Sequence, residues 1–321
     1  MTTGKKGLSS QAFITGSARP IIGSLGEILW DLLPSGRRFG GAPANFACHA
    51  AALGAEVYLV SRVGDDPLGQ QARKVLQRPG LSTRFVGQSE RFVTGQVQVA
   101  LDKEGVAHYT FGEEEAWDHL ESTEALMQMA PRVAAVCFGT LGQRQSVAQC
   151  TIHHFLDATA QRALRVLDLN LRPPYYNDAT LRESLNRANV LKLNTEELKA
   201  LELRYQLSGE TIEVLHRLRD LFSLDCVALT RGPDGAVLVA AQEQSDYRPP
   251  SVLVEDTVGA GDMYTAALVM GLLRGEPLDE INRYACQLAA YVCTQSGGAP
   301  LLPEHMAEVF LRAGDAFDRE Q

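Results

Sequence analysis

The chain has no run of basic residues longer than a pair, no CxxC spacing and no apolar stretch near the length of a membrane span. Basic residues are also outnumbered, with 30 Lys and Arg against 39 Asp and Glu and a net charge of −9. Nucleic-acid binding needs a basic stripe that displaces counterions, and an anionic membrane surface makes the same demand, so both partners are disfavoured. The longest apolar stretch, near residues 265–273, falls far short of the roughly 18 residues of a bilayer span. The first eighteen residues hold two lysines and no apolar segment, so they read as a loose tail and not as a signal peptide. Six cysteines (Cys48, Cys137, Cys150, Cys226, Cys286 and Cys293) are scattered, mostly in apolar runs. They read as buried, reduced thiols of a cytoplasmic protein.

Several nucleotide and hydrolase signatures are missing too. There is no GxxxxGK[ST], no HRD or DFG, no HExxH and no GxSxG. These absences remove Walker-type NTPases, protein kinases, zincins and the α/β-hydrolases. The one GxG, Gly259 to Gly261, is followed by Tyr264 where a dinucleotide fingerprint needs glycine. What remains is small-molecule chemistry. The 321 residues are 45% hydrophobic and 21% charged, and no linker or repeat divides them, which favours one large α/β domain.

Short β-branched runs at 57–61, 133–138, 165–169, 190–193, 226–230 and 236–240 alternate with helix-period segments at 42–53, 68–77, 143–161, 195–202 and 211–222. That alternation predicts a parallel sheet covered by helices on both faces. Residues 92–111 break the rhythm: Val97, Val99 and Leu101 alternate with polar neighbours and a turn falls at Asp102 to Gly105. The pattern suits an antiparallel hairpin with one wet face, which with residues 28–38 would form a small flap beside the main sheet.

The strongest chemical signal is Asp256-Thr257-Val258-Gly259-Ala260-Gly261-Asp262, followed by an apolar helix that stops at Gly275. Small residues at a helix N-terminus leave N–H groups open to an anion. A carboxylate in that first turn caps the helix or, beside phosphate, accepts the proton of an attacking hydroxyl. A second signal is Gly40-Gly41-Ala42-Pro43-Ala44-Asn45. Its glycines allow close backbone approach, Pro43 suits a first helical turn, and the Asn45 amide suits a vicinal diol. Upstream, Asp31 of GEILWD can grip two hydroxyls. Taken by themselves, Asp168 and Glu197 read as caps, and the adjacent His153 and His154 as surface or packing residues.

In order, GEILWD, GGAPANFACHAAALG, Gly64-Asp65-Asp66-Pro67-Leu68-Gly69, Asp168-Leu169-Asn170-Leu171-Arg172, Asn194-Thr195-Glu196-Glu197, Thr230-Arg231-Gly232-Pro233-Asp234-Gly235 and DTVGAGD resemble the ribokinase-like (pfkB-type) carbohydrate kinases, over about residues 21–300. GEILWD, Thr94-Gly95 and Ala116-Trp117-Asp118 look most like the fructokinase branch. The resemblance implies a three-layer α/β/α fold with a mainly parallel sheet and a small β-sheet lid. It implies a tail over 1–20 and a single domain over 21–315, with lid segments near 28–38 and 92–111. It further implies ATP-dependent phosphorylation of a primary hydroxyl of a small sugar, fructose first, by a magnesium-requiring homodimer joined through the lids. Ribose, 2-keto-3-deoxygluconate or a nucleoside are alternative substrates, and a catalytically silent sugar- or nucleotide-binding regulator is the alternative of another class. Residue by residue, it makes Asp262 the base and Gly259, Ala260 and Gly261 with Asp262 the anion hole. Asp31, Gly40, Gly41 and Asn45 match sugar positions. Asn194 and Glu197 match the pair that handles phosphate and hydrated Mg²⁺, while Thr230, Gly232 and Gly235 match the nucleotide loop. The carbonyls of Asp256 and Val258 match ligands of a monovalent cation such as K⁺, but Leu301 stands where many relatives carry a small hydroxyl residue.

Overall fold

The computed structural model describes residues 19–33, 36–101 and 107–307. The side chains of 99–101 and 107–109, most of the expected tail and the expected hairpin turn at Asp102 to Gly105 lie outside the described residues.

In chain order the strands are β1 (Ile21–Leu25), β2 (Leu29–Leu33), β3 (Gly36–Gly40), β4 (Glu56–Gly64), β5 (Leu81–Ser89), β6 (Gly95–Leu101), β7 (Ala107–Phe111), β8 (Ala135–Phe138), β9 (Leu164–Asp168), β10 (Val190–Asn194), β11 (Cys226–Thr230), β12 (Ala236–Ala240) and β13 (Gln244–Tyr247). The helices are α1 (Ala42–Ala52), α2 (Pro67–Val75), α3 (Glu124–Met129), α4 (Ser146–Ala158), α5 (Asp178–Arg187), α6 (Thr195–Tyr205), α7 (Thr211–Leu221), α8 (Ala260–Arg274) and α9 (Leu278–Cys293).

Nine strands form the central sheet in the order β13-β12-β11-β10-β9-β8-β1-β4-β5, parallel from β5 to β11 and antiparallel over β12 and β13. Its inner strands are apolar on both faces because both are covered, and the period of two divides their side chains between two cores. On β8, Cys137 joins the layer under α1, α2, α8 and α9. Its neighbours Val136 and Phe138 join the layer under α3 to α7. The result is an α/β/α sandwich. Elements beyond those the periodicity picks out are β1, β5, β13, α3, α5 and α9. β5 and β13 are edge strands, polar on their open side, so they lack the apolar run of a central strand. The segment expected as one helix over 143–161 begins as a 3₁₀ turn at Leu141–Gln143 and becomes α-helical only at Ser146.

The second sheet has the order β3-β2-β6-β7, with β2 parallel to β6 and the outer strands antiparallel. It has its own apolar centre of Leu29, Val97, Phe111, Trp117 and Leu141. Beneath it, Arg144 is buried against Asp118 at 2.6 Å and stacks on Trp117 at 4.2 Å. The lid is moored to the sandwich by Asp66, which caps α2 through Gly69 N–H and also accepts the N–H and hydroxyl of Thr94, each at 2.8 Å. The GDDPLG turn is therefore structural.

Candidate active site

At the C-terminal ends of the parallel strands lies a cleft of about 950 Å³, roofed on one side by Val97 and Phe111 of the lid. Among the residues singled out in the sequence, Asp31, Gly41, Asn45, Asn194, Glu197, Thr230, Gly232, Gly235 and residues 258–262 line it. Gly40 stands behind the wall, where a side chain would run into Asp31, and Asp256 lies just outside.

Two helix starts meet in this cleft. Gly41 caps α1 at φ 103, where a Cβ would lie 2.5 Å from the Glu27 carbonyl, so only glycine brings α1 this close to the Glu27–Ile28 backbone. Pro43 follows in the first turn, and Asn45 is buried two residues later. Gly259 caps α8 at φ 78 and has no side chain to occupy the helix mouth. The first N–H groups of α8 have no partner within the helix. The two starts are joined directly, since Asn45 Nδ2 donates to Asp262 Oδ2 at 2.9 Å. Asn45 was expected only on the sugar side; its amide also fixes the carboxylate.

Burial pushes the Asp262 carboxyl up to about 7, and the nearby Asp168 adds to the rise against the Asn45 hydrogen bond and the charges of Lys192 and Arg172. The group is thus a far stronger base than an ordinary aspartate, while at neutral pH it still spends much of its time ionised. Asp31 on β2 is raised to about 6 by burial and by Asp256, against Arg172 and Arg38. Glu27 is 2% exposed and raised to about 7, chiefly by burial.

Below the α8 turn lies a buried ion pair. Lys192 Nζ on β10 donates to both oxygens of Asp168 on β9, at 3.0 and 3.2 Å. The Thr265 hydroxyl lies within hydrogen-bonding distance of Asp168 Oδ2, 2.8 Å, and of the Gly261 carbonyl, 2.9 Å. Burial works to lower the lysine, but the Asp168, Glu197 and Asp262 carboxylates outweigh it and hold the ammonium above its ordinary value. Asp168 is therefore no cap. Sequence reading passed over Lys192, Glu27 and Arg172. The available signal for Lys192 was a single charge inside the apolar strand VLKLN.

Asn194 and Glu197 form a reciprocal capping box at the start of α6: Glu197 N–H donates to Asn194 Oδ1 at 2.9 Å and Asn194 N–H to Glu197 Oε2 at 2.8 Å. Leu171 N–H donates to the other Glu197 oxygen at 2.9 Å. Each oxygen keeps a lone pair, and the group lines the cleft. Among the described residues no three His, Cys, Asp or Glu cluster as a metal cage. One carboxylate with waters and phosphate oxygens is nevertheless how Mg²⁺ is usually held, so these residues fit a hydrated Mg²⁺. The expected ligands of a monovalent cation are the backbone carbonyls of Asp256 and Val258, not side chains. The Asp256 carboxylate already pairs with Arg38 and accepts the N–H groups of Val258 at 3.1 Å and Gly297 at 3.2 Å. Leu301 is 78% exposed and supplies no oxygen donor from its side chain.

The sequence profile described as pfkB family carbohydrate kinase matches residues 36–305. A fructokinase of Salmonella typhimurium is 31% identical over 268 residues, covering 79% of this chain and 85% of its own. PH1459 of Pyrococcus horikoshii, described as an uncharacterized sugar kinase, is 28% identical over 298 residues, 87% of this chain and 91% of its own. Its crystal structure in complex with ATP superposes with a TM-score of 0.75 at 25% identity, covering 90% of this chain and 99% of that one. An aminoimidazole riboside kinase of Salmonella typhimurium is 26% identical over 306 residues, 87% of this chain and 91% of its own.

Proposed function

The chain belongs to the pfkB family of carbohydrate kinases, and from that premise we propose that it transfers the γ-phosphoryl group of ATP to the primary hydroxyl of a neutral sugar, fructose being converted to fructose 6-phosphate. The observation that carries this reading is the Asp262 carboxylate, held by the Asn45 amide at 2.9 Å between a hydroxyl-binding end of the cleft and the open N–H groups of α8. A protein that only bound sugar or nucleotide would gain nothing from a buried base at that point.

In this account the sugar lies against Asp31, Gly41 and Asn45, and the nucleotide runs along Thr230, Gly232 and Gly235. Asp262 orients the hydroxyl and takes its proton late in a loose transfer, while the N–H groups of residues 259–262 stabilise charge on the moving phosphoryl. Asn194 and Glu197 would hold a hydrated Mg²⁺, which neutralises phosphate charge when bound. The lid, closing over the sugar, limits wasteful attack by water. The active molecule is read as a cytoplasmic homodimer joined through the lids.

Fructose is placed first because GEILWD, Thr94-Gly95 and Ala116-Trp117-Asp118 resemble the fructokinase branch and a fructokinase is 31% identical to this chain. Coupled ADP release against fructose, ribose, a nucleoside and 2-keto-3-deoxygluconate tests this choice. The highest kcat/KM is expected with fructose, and a clear preference for the acid would overturn it.

Losing a charged partner of a buried hydroxyl typically costs about 1.5–3 kcal/mol. Asp31→Ala is therefore expected to raise the sugar KM about tenfold or more, with ATP affinity nearly unchanged. A fall in nucleotide affinity without a change for the sugar would reverse the two ends of the cleft. Because Leu301 offers no side-chain oxygen where many relatives carry a small hydroxyl residue, the rate in tetramethylammonium buffer is expected to equal that in potassium buffer. A rate that depends on added potassium would contradict that.

A further inference from the structure

Asn45 and His49 stand one turn apart on α1 and face the same way. Asn45 reaches Asp262. His49, fully buried, lies with Nε2 3.0 Å from the carbonyl oxygen of Gly298. A carbonyl only accepts, so Nε2 carries the proton. Nδ1 is left as a buried acceptor with no partner among the described residues. Burial lowers the imidazole to about 4, so it is neutral at working pH.

Gly298 is where the two helix starts rest on each other. A Cβ on Gly259 would lie 1.9 Å from the Gly298 oxygen. A Cβ on Gly298 would lie 2.6 Å from the Asn45 amide nitrogen. The turn at Gly298 is thus packed between the N-cap of α8 and the Asn45 side chain, and His49 holds its carbonyl from the third side. An oxygen released from His49 is free to rotate or shift, and Gly259 sits directly against it.

We propose that His49 is a positioning residue for phosphoryl transfer: by fixing the Gly298 carbonyl it sets the seat of Gly259, and with it the direction in which the first N–H groups of α8 point. The inference rests on reading that helix start as the phosphoryl site. His49 touches neither substrate, so its effect falls on kcat and not on binding.

The test compares His49→Ala with His49→Gln, which keeps an N–H donor near the same reach. Small misplacements of a reacting centre cost up to about a hundredfold in rate. His49→Ala is expected to lower kcat by about ten- to a hundredfold, leaving both KM values within a few-fold, while His49→Gln recovers most of the loss. A second readout needs no substrate: amide hydrogen exchange in the peptide spanning 257–266 should speed up in the alanine variant and return toward wild type in the glutamine variant. Wild-type kcat in His49→Ala, or exchange at 257–266 unchanged in both variants, would overturn the proposal. Failure of the kinase reading itself would show separately, as a wild-type protein without sugar-dependent ADP formation.

Discussion

Replacing Asp262 by asparagine is expected to lower kcat by about 10²–10⁴, the usual cost of losing a general base, while ATP binds within a few-fold of wild type. A sugar hydroxyl is a weak nucleophile whose proton must leave as the bond to phosphorus forms. In a loose transfer the base acts late, and a carboxyl raised to about 7 is well matched to that task. The asparagine keeps the size of the side chain and can still accept from Asn45 through its own carbonyl, so the helix start is preserved. The pH dependence follows from the sign of the shift. The base works only when unprotonated, so wild-type kcat/KM should fall about tenfold per pH unit below about pH 7, and in the variant this fall should be absent down to about pH 6, where Asp31 begins to titrate. Stability runs the other way. The folded state binds this proton more tightly than the unfolded chain, so the contribution is full below 3.8 and is lost as pH rises to about 7. Asp262→Asn removes that loss. Its melting temperature should gain on wild type as pH rises from about 4 to about 7. Steady-state kinetics, nucleotide calorimetry and thermal melts on the pair measure all three. A variant with more than half the wild-type kcat would make Asp262 only a helix cap.

Lys192→Met is expected to produce the largest loss of stability. Lys192 and Asp168 are each about nine-tenths buried, and both carboxylate oxygens face the ammonium. Removing one partner strands the other charge, at a cost of about 3–5 kcal/mol. For a domain of this size that corresponds to a fall in melting temperature on the order of 10 °C. Activity should fall too, because Asp168 also engages Thr265, whose hydroxyl touches the Gly261 carbonyl in the α8 turn. Removing both charges with Asp168→Leu in the same chain should recover much of the stability but not the activity, since an apolar pair can replace a buried ion pair but leaves Thr265 without its Asp168 partner. Urea unfolding of the two variants decides it. A single variant destabilised by less than about 1 kcal/mol would mean that the pair is solvated.

The layered plan is legible in the sequence because strands covered on both faces must be apolar throughout, as AVCF and AVLVA are, and because helix starts carry their own punctuation. Asn194 with Glu197, and Gly259 with Gly275, mark α6 and α8 before any packing is known. Edge strands β5 and β13 escape that reading since half of each faces water. Within the cleft, residues on glycine-rich turns are legible because the backbone there needs glycine. Lys192, Glu27 and His49 are not. Each sits inside an otherwise apolar or tightly packed segment, and its partner comes from far along the chain: Asp168 for the lysine, Gly298 for the histidine. Sequence spacing says nothing of such pairs until the sheet order brings β9 beside β10 and α1 beside α8. Asp168 was misread for the same reason, since a strand-end acid looks like a cap until the lysine on the next strand is seen.

The most direct test of the account follows the phosphorus atom. The purified protein would be given ATP, magnesium and fructose labelled with ¹³C, and the product examined by ¹³C and ³¹P NMR. The account predicts phosphorus coupling at the C6 carbon, with one ADP formed for each phosphorylated sugar and none without sugar. Inorganic phosphate as the only phosphorus product besides ADP, or ADP formation indifferent to any sugar offered, would contradict it.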